Sequence, residues 1–182
     1  MNSNFWKELV KLVFLSLLIV VPFRLYVAQP FVVEGASMDP TFDTGDYLIV
    51  DEFSYHFKGP ERGSILIFKY PKDTKKSFIK RVIGLPGEQV SISNGKVVIV
   101  NSEYPNGLTL DEPYVKFSKD ENMATEELGD AEYFVLGDNR PASADSRVWG
   151  VVPEKNIIGR PILRFFPPAV FPGDNSLSKE KE

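Results

Sequence analysis

The apolar and polar positions divide the chain into three stretches. From Leu9 to Val27 nearly every residue is apolar, with Lys11 and Arg24 near the ends and Ser16 as the interruption in "LVFLSLLIVVPF". A run that is apolar on every side does not read as the one-faced stripe of a core helix. Its 19 residues approach the roughly 20 that a membrane-spanning helix needs, and Phe5, Trp6 and Tyr26 flank it as interfacial aromatics do. A cleaved leader would need small residues at its exit, and "RLYVAQPF" has Tyr, Ala and Pro there. Residues 1–28 are therefore expected to be a short cytoplasmic N-terminus and a single membrane anchor. Lys7 and Lys11 precede the run, so residues 29 onward are expected on the extracytoplasmic side.

From residue 29 to 172 the pattern changes to short alternating runs broken by turns. "YLIVDEF", "SILIFKY", "KSFIKRVIG", "QVSISNGKVVIVN", "EYFVLGDN" and "IIGRPILRFF" predict strands, and Asn94-Gly95 predicts a tight hairpin turn. The 14 prolines work against long helices. The expected fold is mostly β: antiparallel sheets coiled into a barrel-like domain behind one transmembrane helix. Ser102 to Asp130 is polar and acidic without an apolar period, and is expected to be a mobile surface excursion with no chemistry. Residues 173–182 are expected to be disordered. "RFFPPAVF", with Phe165, Phe166 and Phe171, is a candidate for dipping into lipid.

Composition then removes several classes of chemistry. With no cysteine there are no disulfides, thiolate nucleophiles or iron–sulfur ligands, and one histidine with no carboxylate cluster leaves no metal site to expect. A net charge of −4 argues against a nucleic-acid partner.

What remains is hydroxyl chemistry. In "EGASMDPTF" the small residues Gly35 and Ala36 precede Ser37, and Pro40 fixes the turn after it, which suits an exposed serine approached by another backbone. In "SFIKRVIGLPGE" strand alternation aligns Lys80 with Phe78 and Val82, residues that should face a core. Burial lowers a lysine pKa, and a neutral amine beside a serine hydroxyl is a competent base. A snorkelling edge lysine fits the same spacing. His56, the rival base, lies in a polar turn-rich segment and is expected to be a surface residue.

Three blocks, "GASMDPTF", "FIKRVIGLPGE" and "GDNRPASADSRVWG", follow the apolar run in this order. Together they resemble the bacterial type I signal peptidases, membrane-bound Ser–Lys endopeptidases, over the length from the anchor to about Phe166. The resemblance implies Ser37 as nucleophile and Lys80 as general base, with Ser143 orienting the lysine by a hydrogen bond. Asp138, Asp145 and Arg147 would hold the site together through ion pairs. Gly35 stands where some members carry a serine, so the oxyanion would rest on backbone N–H groups; that glycine suits a single-anchor, Gram-positive-like form. The implied partners are the signal peptides of exported preproteins, cut after small-x-small sequences, and the lipid bilayer. No cofactor is implied, and a monomer is expected. The loop "NSEYPNGLTLDEPYV" looks longer than the family's usual hairpin, with no functional consequence expected. Two other readings are an anchored non-catalytic β-domain and a Ser–Lys self-processing protease; for the latter, no "AG" or "CG" cleavage pair exists in the chain.

Overall fold

The computed structural model describes residues 3–26, 29–165 and 168–170. Helix α1 spans Ser3–Tyr26. The strands follow: β1 Gln29–Val32, β2 Tyr47–Asp51, β3 Ile65–Tyr70, β4 Asp73–Gly84, β5 Gln89–Ser93, β6 Lys96–Val100, β7 Leu108–Thr109, β8 Met123–Glu127 and β9 Glu132–Leu136. A short helix, α2 Ser146–Trp149, precedes β10 Val152–Pro153, β11 Ile157–Arg164 and β12 Ala169–Val170.

Among the described residues the strands form two antiparallel sheets. The larger has eight strands in the path β1-β2-β11-β3-β4-β9-β10, with β12 paired to β11. The smaller has four, in the order β7-β6-β5-β8. The larger sheet is not closed: β1 and β10 end its path without pairing to each other. The expected barrel-like closure is thus corrected to an open, bent sheet, with bulges in β3–β4, β4–β9 and β11–β2. Bulges turn a sheet without closing it. The predicted strands all occur, and the β5–β6 turn has Asn94 and Gly95 at φ 49° and 73°, as a type I′ hairpin requires.

The two sheets meet at one apolar cluster, in which Ile83, Phe134 and Leu136 of the larger pack with Val90, Ile92, Val97 and Ile99 of the smaller. Gly84 sits at this junction. A Cβ built there would lie 2.5 Å from Val90 Cγ2 and 2.7 Å from Leu128 Cδ1. Gly84→Ala is expected to cost about 1–3 kcal/mol by overpacking, read as a lowered thermal midpoint; an unchanged midpoint would show that the junction is loose.

The stretch 102–130 departs from expectation. It contains β7 and β8, both paired into the smaller sheet, because Leu110 and Met123 supply apolar contacts too sparse to show a period. Among the described residues no helix is long and apolar enough to cross a membrane. The end of the Leu9–Val27 run, residues 173–182, Phe166 and Phe171 lie outside what is described, while Phe165 is exposed.

Candidate active site

Ser37 sits on a turn pegged from both sides. Beyond β1, Val33 N–H donates to Asp46 O (3.0 Å) and Gly45 N–H to Val33 O (2.9 Å), holding the chain extended as far as Val33. Gly35 follows at φ 87° with open space where a side chain would stand. The turn closes with Asp39 N–H on Ala36 O and Phe42 N–H on Met38 O. Met38 and Phe42 are fully buried, packed with Val33, Leu48, Val50, Ile67 and Ile79. These two pegs leave Ser37 half-buried at the surface, lining a cavity of about 450 Å³ with Phe31, Val32, Glu34, Phe78 and Lys80.

Lys80 comes from the middle of β4, opposite Leu66 of β3. Only 4% of it is exposed. Its Nζ lies 2.6 Å from Ser37 Oγ, donates to Ile79 O at 2.8 Å, and stands 5.6 Å from the centre of the Phe78 ring. Burial pulls its pKa from 10.5 down to about 8, although the carboxylates of Asp145 and Asp138 act in the other direction. The lysine therefore faces the core, as the alternation of "FIKRV" suggested, and the reading of a lysine snorkelling to solvent is excluded. With the amine neutral, the Ser37 hydroxyl donates to Nζ, the arrangement from which a base takes a proton.

Around this pair runs a set of buried ion pairs. Asp138, fully buried, accepts Arg81 Nε at 2.8 Å and Nη2 at 2.6 Å, together with the Thr41 hydroxyl at 2.5 Å. Arg81 follows Lys80 in β4, and Thr41 lies four residues beyond Ser37. Ser37 and Lys80 are thus joined twice, once directly and once through the bracket Thr41–Asp138–Arg81. Asn139 N–H adds a bond to the Ser37 carbonyl at 3.1 Å. Asp145, also fully buried, caps α2 and accepts Arg147 Nε and Nη2 at 2.7 Å each and Gly137 N–H at 3.0 Å. Breaking such a buried pair by removing one partner leaves an uncompensated charge.

The structure brings together Ser37, Lys80, Asp138, Asp145 and Arg147. It differs from expectation at Ser143, whose Oγ is buried yet has no hydrogen-bond partner among the described residues. The expected Ser143–Lys80 hydrogen bond is not formed, and Ile79 O takes the place on the amine. His56 ends a short 3₁₀ turn, Ser54–His56; its side chain lies outside the described residues. Thr41 lies within the quoted block "GASMDPTF" but was assigned no role there, and Glu112, Tyr114 and Glu121 were invisible to the sequence reading. Glu112 pairs with Arg140 at 2.6 Å, Glu121 with Arg147, and the Tyr114 ring lies 3.9 Å from the Arg81 guanidinium. Nothing in the pattern of "LTLDEPYVKFSKDEN" marks these positions. Among the described residues no group of His, Asp and Glu side chains could hold a metal ion.

Fold and site together define a β-sheet protein with a serine hydroxyl set against a buried lysine amine at the wall of a groove. Comparison with known proteins makes the assignment narrower. The family model for signal peptidase, peptidase S26, matches residues 6–166. The chain is 40% identical over 171 residues to a probable signal peptidase I-1 of Synechocystis, covering 90% of this chain and 84% of that one. It is also 40% identical over 141 residues to signal peptidase I V of Bacillus subtilis, covering 70% and 79%. A crystal structure of a signal peptidase I from Enterococcus faecalis has 34% identity and a TM-score of 0.47, covering 57% of this chain and 97% of that one. The chain belongs to the peptidase S26 family, as a signal peptidase I enzyme. The equal identities to a cyanobacterial and a Bacillus relative do not single out a Gram-positive form.

Proposed function

We propose that the chain is a membrane-anchored serine endopeptidase that removes signal peptides from exported preproteins after a small-x-small sequence, through a Ser–Lys dyad. The observation that carries this reading is the 2.6 Å approach of Lys80 Nζ to Ser37 Oγ inside a buried environment. Neutral Lys80 takes the hydroxyl proton as Ser37 Oγ bonds to the substrate carbonyl carbon. The oxyanion is met by backbone N–H groups near Ser37, with open space at Gly35 to admit it. Lys80, now charged, gives the proton to the leaving amine. Water then attacks the acyl-enzyme, losing a proton to Lys80. Lys80 returns that proton to Ser37 Oγ as the bond to the acyl carbon breaks, which frees the new C-terminus and restores the neutral amine. Asp138, Asp145 and Arg147 hold the loop that carries these contacts, and Ser143 stands beneath it against Gly137.

The groove suits an extended peptide. β4 pairs with β9 only from Arg81 onward, so the described residues leave its stretch Lys76–Lys80 without a strand partner on that side. β1 pairs only with β2. An incoming strand could bond to either edge, and the rings of Phe31 and Phe78 with Ile79 leave space for small side chains. Ser37 and Lys80 come from one chain, so a monomer suffices.

Support for the anchor comes from α1. Its 24 residues reach about 36 Å, against a bilayer core of roughly 30 Å, although its described residues alone do not make up a stretch long and apolar enough to cross. Leu12, Val13, Phe14 and Leu15 are all exposed, and four consecutive positions cover the whole circumference of a helix. An all-round apolar surface belongs either in a protein core or in lipid, and lipid is the surrounding proposed here.

The test is cleavage of a preprotein carrying an Ala-x-Ala site by the detergent-solubilised full chain, with the products located by mass. Cutting after the last alanine is expected, and kcat/KM should rise with pH through about 8 as Lys80 loses its proton. An intact, folded enzyme that leaves the site uncut would refute the substrate assignment. A rate independent of pH between 6 and 9 would refute the lysine as base.

A further inference from the structure

The segment from Leu110 to Asn122 has no part in the chemistry above, yet it touches each of the three arginines that hold the site loop. Its two ends are fixed to the smaller sheet. Leu110 N–H donates to Val97 O at 3.0 Å, and at the other end Gly95 N–H donates to Glu121 O at 2.9 Å and Asn94 N–H to Asn122 Oδ1 at 2.9 Å. Between these ends the segment lies along the loop 137–147, with Phe117 bridged to Asn139 and its carbonyl accepting Arg140 N–H at 3.1 Å. It is a strap, anchored on one sheet and laid across the loop that meets Ser37.

We propose that Tyr114, together with Glu112, is a positioning residue for the Ser37–Lys80 pair; the inference rests on the dyad reading given above. The Tyr114 ring covers the Arg81 guanidinium at 3.9 Å, while the N–H groups of that guanidinium are committed to Asp138 and Gly63 O. The Tyr114 hydroxyl donates to Glu112 at 2.7 Å, and the same carboxylate accepts Arg140 Nη2 at 2.6 Å. Arg140 Nε in turn donates to Gly137 O at 3.1 Å. One Glu–Tyr pair therefore ties two arginines, Arg81 gripping Asp138 and Arg140 gripping Gly137 O, in the loop that carries Asp138 and Asn139. These two residues bond to Thr41 and to the Ser37 carbonyl.

The physical effect follows from that chain of contacts. An arginine has many rotamers, and an uncovered guanidinium exchanges its carboxylate for water. The aromatic face removes that exchange on the outer side of Arg81. With the ring gone, the bracket Thr41–Asp138–Arg81 slackens, and with it the 2.6 Å approach of Ser37 to Lys80. The groove walls Phe31, Val32 and Phe78 are not part of this set, so substrate binding should be little changed. Loss should fall on kcat.

The experiment uses the full chain in detergent, with Tyr114→Leu, Tyr114→Phe, Glu112→Gln and Ser37→Ala compared on the Ala-x-Ala preprotein well below each thermal midpoint. Tyr114→Leu is expected to lower kcat about tenfold or more with KM within about twofold, since small misplacements of reacting groups are costly. Tyr114→Phe keeps the ring over Arg81 and should recover kcat to within about threefold of wild type. A Tyr114→Leu enzyme with a lowered midpoint but wild-type kcat would overturn the proposal, leaving the strap a purely structural element. If the leucine variant does not fold, Glu112→Gln decides: about a threefold or larger fall in kcat supports the strap, and a wild-type kcat overturns it. Ser37→Ala separates the two levels. Should it cut like wild type, the dyad reading fails; should it be inactive while the strap variants turn over normally, only the strap inference fails.

Discussion

Lys80→Met is expected to abolish cleavage while leaving the protein as stable at pH 7 as wild type, or more so. Methionine keeps most of the length and apolar stem of lysine but removes the amine proposed to accept the Ser37 proton. A fall in kcat of at least about a thousandfold is expected, matching Ser37→Ala, because the two groups act as one unit. The stability argument runs the opposite way. The folded pKa of about 8 lies below the unfolded 10.5, so below pH 8 both states hold the proton and the native state carries a buried ammonium. That difference corresponds to about 3 kcal/mol, part of it offset in the variant because Asp138 and Asp145 lose a nearby cation. Wild-type stability should therefore gain between pH 8 and 10.5, as Lys80 sheds its proton in the native state first. Methionine lacks this dependence. Thermal scans of both proteins from pH 6 to 10, beside cleavage rates, check both halves. A midpoint for Lys80→Met far below wild type at pH 7 would mean that the ammonium is held by the two carboxylates and is not the proton acceptor described here.

The second large effect is expected from Gly137→Ala, a change that removes no chemical group. A Cβ on Gly137 would overlap the Ser37 carbonyl oxygen and Ser143 Oγ, and would stand 2.6 Å from Ser143 Cβ. Ser143 can turn its hydroxyl, whereas the Ser37 carbonyl is backbone pegged by Met38 and Phe42 and bonded to Asn139 N–H. Gly137 is not among the positive-φ glycines, so alanine meets no backbone penalty and the effect is purely steric. The overpacking should cost about 1–3 kcal/mol. The displaced turn should lower kcat about a hundredfold, the scale associated with a 1 Å misplacement of a catalytic group. Circular dichroism of the variant should keep the wild-type β signature. Wild-type turnover by Gly137→Ala would show that the turn around Ser37 yields easily, and that its position is not set by the loop 137–147.

Much of the scaffold was legible before any coordinate. Alternation in "YLIVDEF", "SILIFKY" and "QVSIS" reports a side chain's face within its own strand, and the Asn94-Gly95 turn carries its own geometry. The same periodicity pointed Lys80 inward. Its meeting with Ser37, 43 residues away, was legible only through the resemblance of the three blocks. Neither closure of the sheet nor the role of residues 102–130 could be read this way. The bending of the open sheet depends on bulges, which leave no period in the sequence.

The sequence by itself determined most of the strands, the apolar N-terminal run, the absence of thiol chemistry and, through the resemblance of three blocks, Ser37 and Lys80 as candidates. Only the tertiary structure decided that Arg81, Arg140 and Arg147 are held by Tyr114, Glu112 and Glu121. It also decided that Thr41 closes a bracket with Asp138, and that Ser143 stands without the expected bond to Lys80. The reason is physical. Burial of one face leaves a repeat of two along a strand, whereas a contact such as Arg140 to Glu112, 28 residues apart, depends on where separate elements come to rest and leaves no mark on local order.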